Sequence, residues 1–218
     1  MKNFFSTLYF AYRSRLFATK EFFRVAWRYW RDKEYARIDI SLLRSYFWKS
    51  PYRIARERSG VPYGETPLST LGSIAKECEI TVRDSVLELG AGRGRGLFWL
   101  AHFIGCPVRG VEIIPEFVSR ARAIQEKFKI PHVTISCADM LEADFAGSNY
   151  IYLFGSNLED DDLVHLTEKM ETLAAGTKII TISFPLSEYG KKEKFHLIKS
   201  FEVEFPWGKS DCFLQEII

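Results

Sequence analysis

The order of elements in this sequence predicts an α/β protein: a doubly wound, mostly parallel seven-stranded sheet ending in an antiparallel hairpin, with an α-helical extension in front. Three observations carry that prediction. Between residues 82 and 184 short apolar runs alternate with helical patterns, the rhythm of a parallel sheet covered on both faces. After Pro185 the alternation stops, and two strand-like runs flank a hairpin-length turn. Before residue 59 the composition is of another kind.

Residues 1–58 hold 16 of the 33 aromatic residues and 14 Lys/Arg against 5 Asp/Glu, a surplus of +9. Residues 59–218 carry 16 Lys/Arg against 23 Asp/Glu, or −7, so the chain's net charge of +2 hides two segments of opposite character. Within residues 1–37, Phe22, Phe23, Ala26, Trp27 and Trp30 recur at helical spacing while Arg24, Arg28 and Arg31 lie on another face. This is a basic amphipathic helix. It suits either peripheral contact with a membrane or a packing stripe laid on the following domain or on a second copy, and the interleaved Glu21, Asp32 and Glu34 weaken the membrane reading. Residues 38–58 predict one or two short helices broken near Pro51.

The second segment opens with a loop at Gly60–Pro67. Thr66 is the predicted N-cap, and Pro67 the first residue, of a helix running to about Glu79. Strands follow at Ser85–Leu89, Val108–Ile113, His132–Cys137, Tyr150–Phe154 and Lys178–Phe184. The helices between them are Gly96–Ile104, Pro115–Phe128 and Asp160–Ala174, and the hairpin pairs His196–Phe205 with Asp211–Ile218 across PWGKS. Cys78, Cys106, Cys137 and Cys212 are scattered, which excludes a CxxC redox or zinc motif and suits a reducing, cytoplasmic setting. No window offers ~18 uninterrupted apolar residues for a membrane span, and the apolar stretch near the N-terminus runs into Arg13 without a small-residue cleavage site.

The chemistry concentrates at three strand ends. ELGAGRGRG follows the first strand, with Glu88, Gly90, Gly92 and Gly94 in the pattern E-x-G-x-G-x-G, where glycines allow a sharp turn and a close ligand. The spacing differs from the dinucleotide fingerprint, and the GK[ST] ending of a phosphate loop is missing. The second strand ends in Glu112, where a carboxylate can accept both hydroxyl hydrogens of a ribose. The third runs into Asp139-Met140, an acid able to read an adenine edge beside an apolar cover.

Together VLELGAGRGRG, GVEIIP, CADM and the terminal hairpin resemble the seven-strand (class I) S-adenosylmethionine-dependent methyltransferases, over about residues 60–218. The resemblance implies S-adenosyl-L-methionine as cofactor. Gly90 and Gly92 would flank its methionine part, Glu88 lie beneath its amino group, Glu112 hold the ribose, and Asp139 with Met140 contact the adenine. The upstream YGETPLSTL is similar to the cofactor-covering loop of non-SET histone lysine methyltransferases and related small lysine methyltransferases, which implies roles over the cofactor for Tyr63, Glu65 and Thr66. The same likeness implies a protein substrate and a lysine amine as methyl acceptor.

The fourth strand ends YLFGSNLEDDD, without the [DN]PP[YF] of DNA and glutamine amine methylases. Ser156 and Asn157 are the polar groups placed to face a nucleophile, and Phe154, Phe184 and Pro185 are candidate channel walls. Asp160–Asp162 read as helix-capping charge rather than as metal ligands. Other readings are a small-molecule or lipid-like acceptor and a non-enzymatic scaffold that binds the cofactor. An RNA acceptor is favoured by the basic extension but opposed by the acidic catalytic half. Nothing in the sequence fixes an oligomeric state.

Overall fold

Alternation of side chains along four-residue strands decides how this chain layers. In β1 (Val86–Leu89), Val86 and Glu88 face one side of the sheet while Leu87 and Leu89 face the other. β4 (Tyr150–Leu153) is buried at every position, the pattern of a central parallel strand covered on both faces. The computed structural model describes residues 2–58, 63–155 and 158–218, with side chains from residue 12 onward.

With β2 (Val108–Glu112), β3 (Val133–Cys137), β5 (Lys178–Ile182), β6 (Phe195–Phe205) and β7 (Gly208–Ile217), the sheet has seven strands in the order β3-β2-β1-β4-β5-β7-β6. The first five are parallel, and β7 is antiparallel to both β5 and β6. This is the sheet that the resemblance implied. Phe205 pairs with Gly208, so only Pro206 and Trp207 lie between β6 and β7, a tighter turn than PWGKS suggested.

One face of the sheet is covered by α7 (Asp160–Met170) through Leu163, Leu166 and Met170, all packed on Leu87, Ile151 and Ile179. Each such side chain contributes about 1.5–3 kcal/mol by leaving water. The other face carries α4 (Leu68–Glu77), α5 (Arg95–Trp99, widened into a π-turn over Leu100–Ile104) and α6 (Pro115–Phe128).

Three helices precede them: α1 (Lys2–Arg28), α2 (Lys33–Arg44) and α3 (Pro51–Arg58). The break between α1 and α2 is made by Asp32, whose Oδ1 accepts from the backbone N–H groups of Glu34 and Tyr35, both at 2.9 Å. Tyr35, Ile38, Leu42 and Ile54 from α2 and α3 join the core that Phe98, Trp99 and Phe117 build. The packing stripe differs from the one the sequence suggested. α1 buries Glu21, Val25 and Tyr29 on α4 and α5, while Phe22, Phe23 and Trp27 face outward, because residues four apart around Val25 form the inner side. Trp30 is half-buried and donates its indole N–H to Asp39 at 2.9 Å.

Thr66 also departs from expectation. Pro67 occupies the N-cap position of α4 without a side-chain cap, and the Thr66 hydroxyl instead meets the Tyr152 hydroxyl at 2.6 Å. Tyr152 comes up from β4 directly beneath the loop and supplies a better partner than the helix end.

Candidate active site

The C-terminal ends of β1, β2 and β4 open into a cavity of ≈ 270 Å³. At its floor the chain leaves β1 through Gly90 and Gly92, both with positive φ (77° and 53°). Gly92 is required twice. Its left-handed φ favours glycine, and an added Cβ would stand 3.2 Å from the Tyr63 ring that covers it. Its N–H donates to Glu112 Oε2 at 2.8 Å, while Ile114 N–H donates to Glu112 Oε1 at 2.8 Å. Glu112 therefore braces the glycine turn and its own strand end, and each carboxylate oxygen keeps a lone pair for a further donor.

Glu88 rises beside the turn. Its carboxylate lies against Gly96, where a Cβ would be 3.0 Å from Oε2, and that oxygen is buried with no hydrogen-bond partner. Burial first, then the charges of Glu65 and Glu112, push its pKa up to about 8. An unpaired buried carboxylate facing a cavity is a receptor for a cation.

Over the cavity, Tyr63–Thr66 forms a cover held at several points. Glu65 pairs with the buried Arg93, whose guanidinium sits 5.2 Å above the Tyr46 ring, and Tyr63 packs edge-on against Tyr52 of α3 and tilted against Phe117 of α6. Asp139 holds a local turn by accepting from Leu141 N–H at 2.9 Å, with Met140 beside Gly90.

Tyr63, Glu65, Thr66, Glu88, Gly90, Gly92, Glu112, Asp139 and Met140 thus line one cavity. Gly94 does not. It is the left-handed N-cap of α5, and its Cα faces Ala121 and Ile135, where it sets how closely α5 approaches α6 and β3. Phe154 is a cavity wall, but Phe184 packs behind Gly155 and on Tyr189, away from it. Ser156 and Asn157 lie outside the described residues.

Two kinds of residue escaped the sequence. Ile113, Phe117 and Asp162 join the lining, and Asp162 does so because it is the half-buried member of the first turn of α7, where Asp160 and Asp161 are exposed. Arg93 and Arg95, which alternate with the last glycines of GAGRGRG, bind the extension to the site. Arg95 grips the buried Asp39 of α2 with Nε at 2.6 Å and a terminal nitrogen at 2.7 Å. Among the described residues no group of His, Cys, Asp or Glu is placed to hold a metal ion.

The match to known proteins falls on this same stretch. Residues 86–176 match the family model described as a methyltransferase domain. Over those residues the chain is similar to methyltransferase domains, and the cofactor that such a domain of this fold takes is S-adenosyl-L-methionine. The residues present fit it: the orphaned Glu88 oxygen awaits a cation, and the turn at Gly92 keeps open the space a side chain would fill.

Solved structures with a similar fold include an RNA methyltransferase from Salinibacter ruber in complex with S-adenosyl-L-homocysteine. That match has 20% identity and a TM-score of 0.59, and covers 71% of this chain and 94% of the other. The Bacillus subtilis M1A22 tRNA methyltransferase TrmK matches at 17% identity and TM-score 0.57, over 68% and 65% of the two chains. TrmN from Thermus thermophilus matches at 17% and 0.58, over 77% of this chain and 52% of that one. No curated protein matches the sequence.

Proposed function

We propose that this methyltransferase domain modifies a lysine amine of a protein. The supporting observation is the character of the cavity: apolar walls at Leu153, Phe154 and Leu158, with Asp162 in its lining and Glu159, Asp160 and Asp161 exposed in the adjoining turn. Carboxylates at a mouth draw in a cationic side chain and repel phosphates.

When bound, S-adenosyl-L-methionine supplies an electrophilic methyl on a positively charged sulfur. On this reading Glu88 holds the cofactor's ammonium, Glu112 accepts from the ribose hydroxyls, and Asp139 reads the adenine while Met140 and Ile113 cover its faces. The cover formed by Tyr63, Glu65 and Thr66 excludes water. Phe154 and its neighbours disfavour the ammonium form of an entering lysine, so that the neutral amine is the nucleophile and its proton leaves before transfer. Alignment and desolvation are then the protein's contribution, with no acid–base pair required.

The test is incubation of the purified protein with methyl-tritiated S-adenosylmethionine and a lysate lacking the gene, with label read separately in protein, RNA and lipid fractions. Label on protein, located by mass spectrometry to lysine, supports the proposal. Label confined to RNA or lipid overturns it. An RNA acceptor is the second reading, favoured by the RNA-modifying proteins among the similar structures.

A further inference from the structure

α1 has two unlike sides. Its inner side is fixed to the domain: Glu21 accepts from the Ser69 N–H at 3.0 Å and from the Ser69 hydroxyl, and the Tyr29 hydroxyl donates to the Leu68 carbonyl at 3.2 Å. Its outer side presents Tyr12, Leu16, Phe22, Phe23 and Trp27, which are 64%, 42%, 54%, 65% and 75% exposed. Residues 12, 16, 23 and 27 recur at intervals of four and seven, so they form one stripe about 22 Å long.

The sequence alone argued against an anionic partner, because acidic residues interrupt the basic run. The structure places none of them on the outer side of α1. Glu21 is turned inward, Asp32 caps α2 and lies 3.1 Å from His102, and Glu34 is exposed in the first turn of α2, beyond the end of α1. The exposed charges along the helix are then cations such as Arg15 and Lys20, and Arg31, just past its end, is held 5.4 Å from the Trp27 ring.

We propose that this outer face of α1 docks on an anionic lipid bilayer, with its aromatic rings at headgroup level and its cations on lipid phosphates. The helix lies on the surface, for no helix among the described residues is long and apolar enough to cross a membrane. A second copy is the poorer occupant, since pairing two such stripes brings Arg15 and Lys20 of both copies together. Stacked bases are poorer too. Phe22 meets Phe23 and Trp30 edge-to-face at 80° and 89°, an arrangement that offers no run of parallel faces. The bilayer alone matches both the charge and the apolar edges.

The experiment is co-sedimentation of the whole protein with vesicles of phosphatidylcholine alone and with about one-third phosphatidylglycerol, alongside tryptophan fluorescence. Binding to the anionic vesicles should be at least about tenfold tighter than to neutral ones, weaken with salt, and shift Trp27 emission to the blue. The triple variant Phe22→Ser, Phe23→Ser, Trp27→Ser and the double variant Arg15→Glu, Lys20→Glu should each lose about tenfold or more, with affinity for S-adenosylmethionine unchanged. The proposal falls if wild type ignores anionic vesicles, or if both variants bind them as wild type does. It also falls if the stripe instead mediates a lipid-free dimer or captures RNA but not lipid. Vesicle binding is read without methyl transfer, so failure of the lysine proposal leaves this result standing.

Discussion

Glu88 offers the sharpest test of the site, because its protonation and its proposed role oppose each other. Burial, then the charges of Glu65 and Glu112, raise its carboxyl pKa to about 8, yet the cofactor's ammonium requires the ionised form. At pH 7 about one carboxyl in ten is ionised, so affinity for S-adenosylmethionine should be about tenfold below its high-pH plateau, and at pH 6 about a hundredfold below it. Binding near pH 7 should release close to one proton. Titration calorimetry across this range, repeated in buffers of different ionisation enthalpy, measures both the slope and the proton. Glu88→Gln should bind weakly with a flat profile. A pH-independent wild type, or a Glu88→Gln variant with the same slope, would falsify the assignment. The linked effect on the unliganded fold has the opposite sense: a raised carboxyl pKa contributes stability below the unfolded value, and this is lost as pH rises through about 8.

Asp39→Ala strands Arg95 inside the protein and removes the acceptor of Trp30, which should cost about 3–5 kcal/mol in urea unfolding and lower Tm by roughly 6–20 °C. A loss under about 1 kcal/mol would show that the pair is solvated. Gly92→Ala places a methyl 3.2 Å from Tyr63 at a φ of +53°, so cofactor affinity should drop by about tenfold or more in the same calorimetry, and an unchanged affinity would mean that the cover moves freely. Glu112→Gln keeps the shape but offers a single oxygen to the two backbone donors at Gly92 and Ile114. It should weaken both the cofactor and the fold, the latter by about 1–3 kcal/mol, and calorimetry together with urea titration would show whether both move.

What could be read from the sequence was local, and what could not was made by distant partners. A glycine turn at a strand end is written in consecutive residues, which is why Glu88, Gly90, Gly92, Glu112 and Asp139 could be picked out and do meet in one cavity. Thr66-Pro67 was misread as a helix cap because Tyr152, which takes the Thr66 hydroxyl, lies 86 residues away. Arg95 and Asp39 are 56 residues apart, and no spacing rule links a motif position to a preceding helix. The aromatic pattern of α1 marked an amphipathic helix correctly but gave the wrong inner side. Val25 and Tyr29 won because both join the buried core and Tyr29 meets Trp99 and Phe103, whose positions only the fold supplies.

The strand order has a consequence for how the protein is made. β7, the seventh strand in the chain, is inserted between β5 and β6, where Cys212–Glu216 pairs with Lys178–Ile182. Until residues beyond about 210 leave the ribosome, the edge of β5 has no neighbour, and a bare, largely apolar edge is a template for pairing with other chains. A chain truncated before Asp211 therefore retains every residue that lines the cofactor cavity but leaves the β5 edge of the sheet open to pairing.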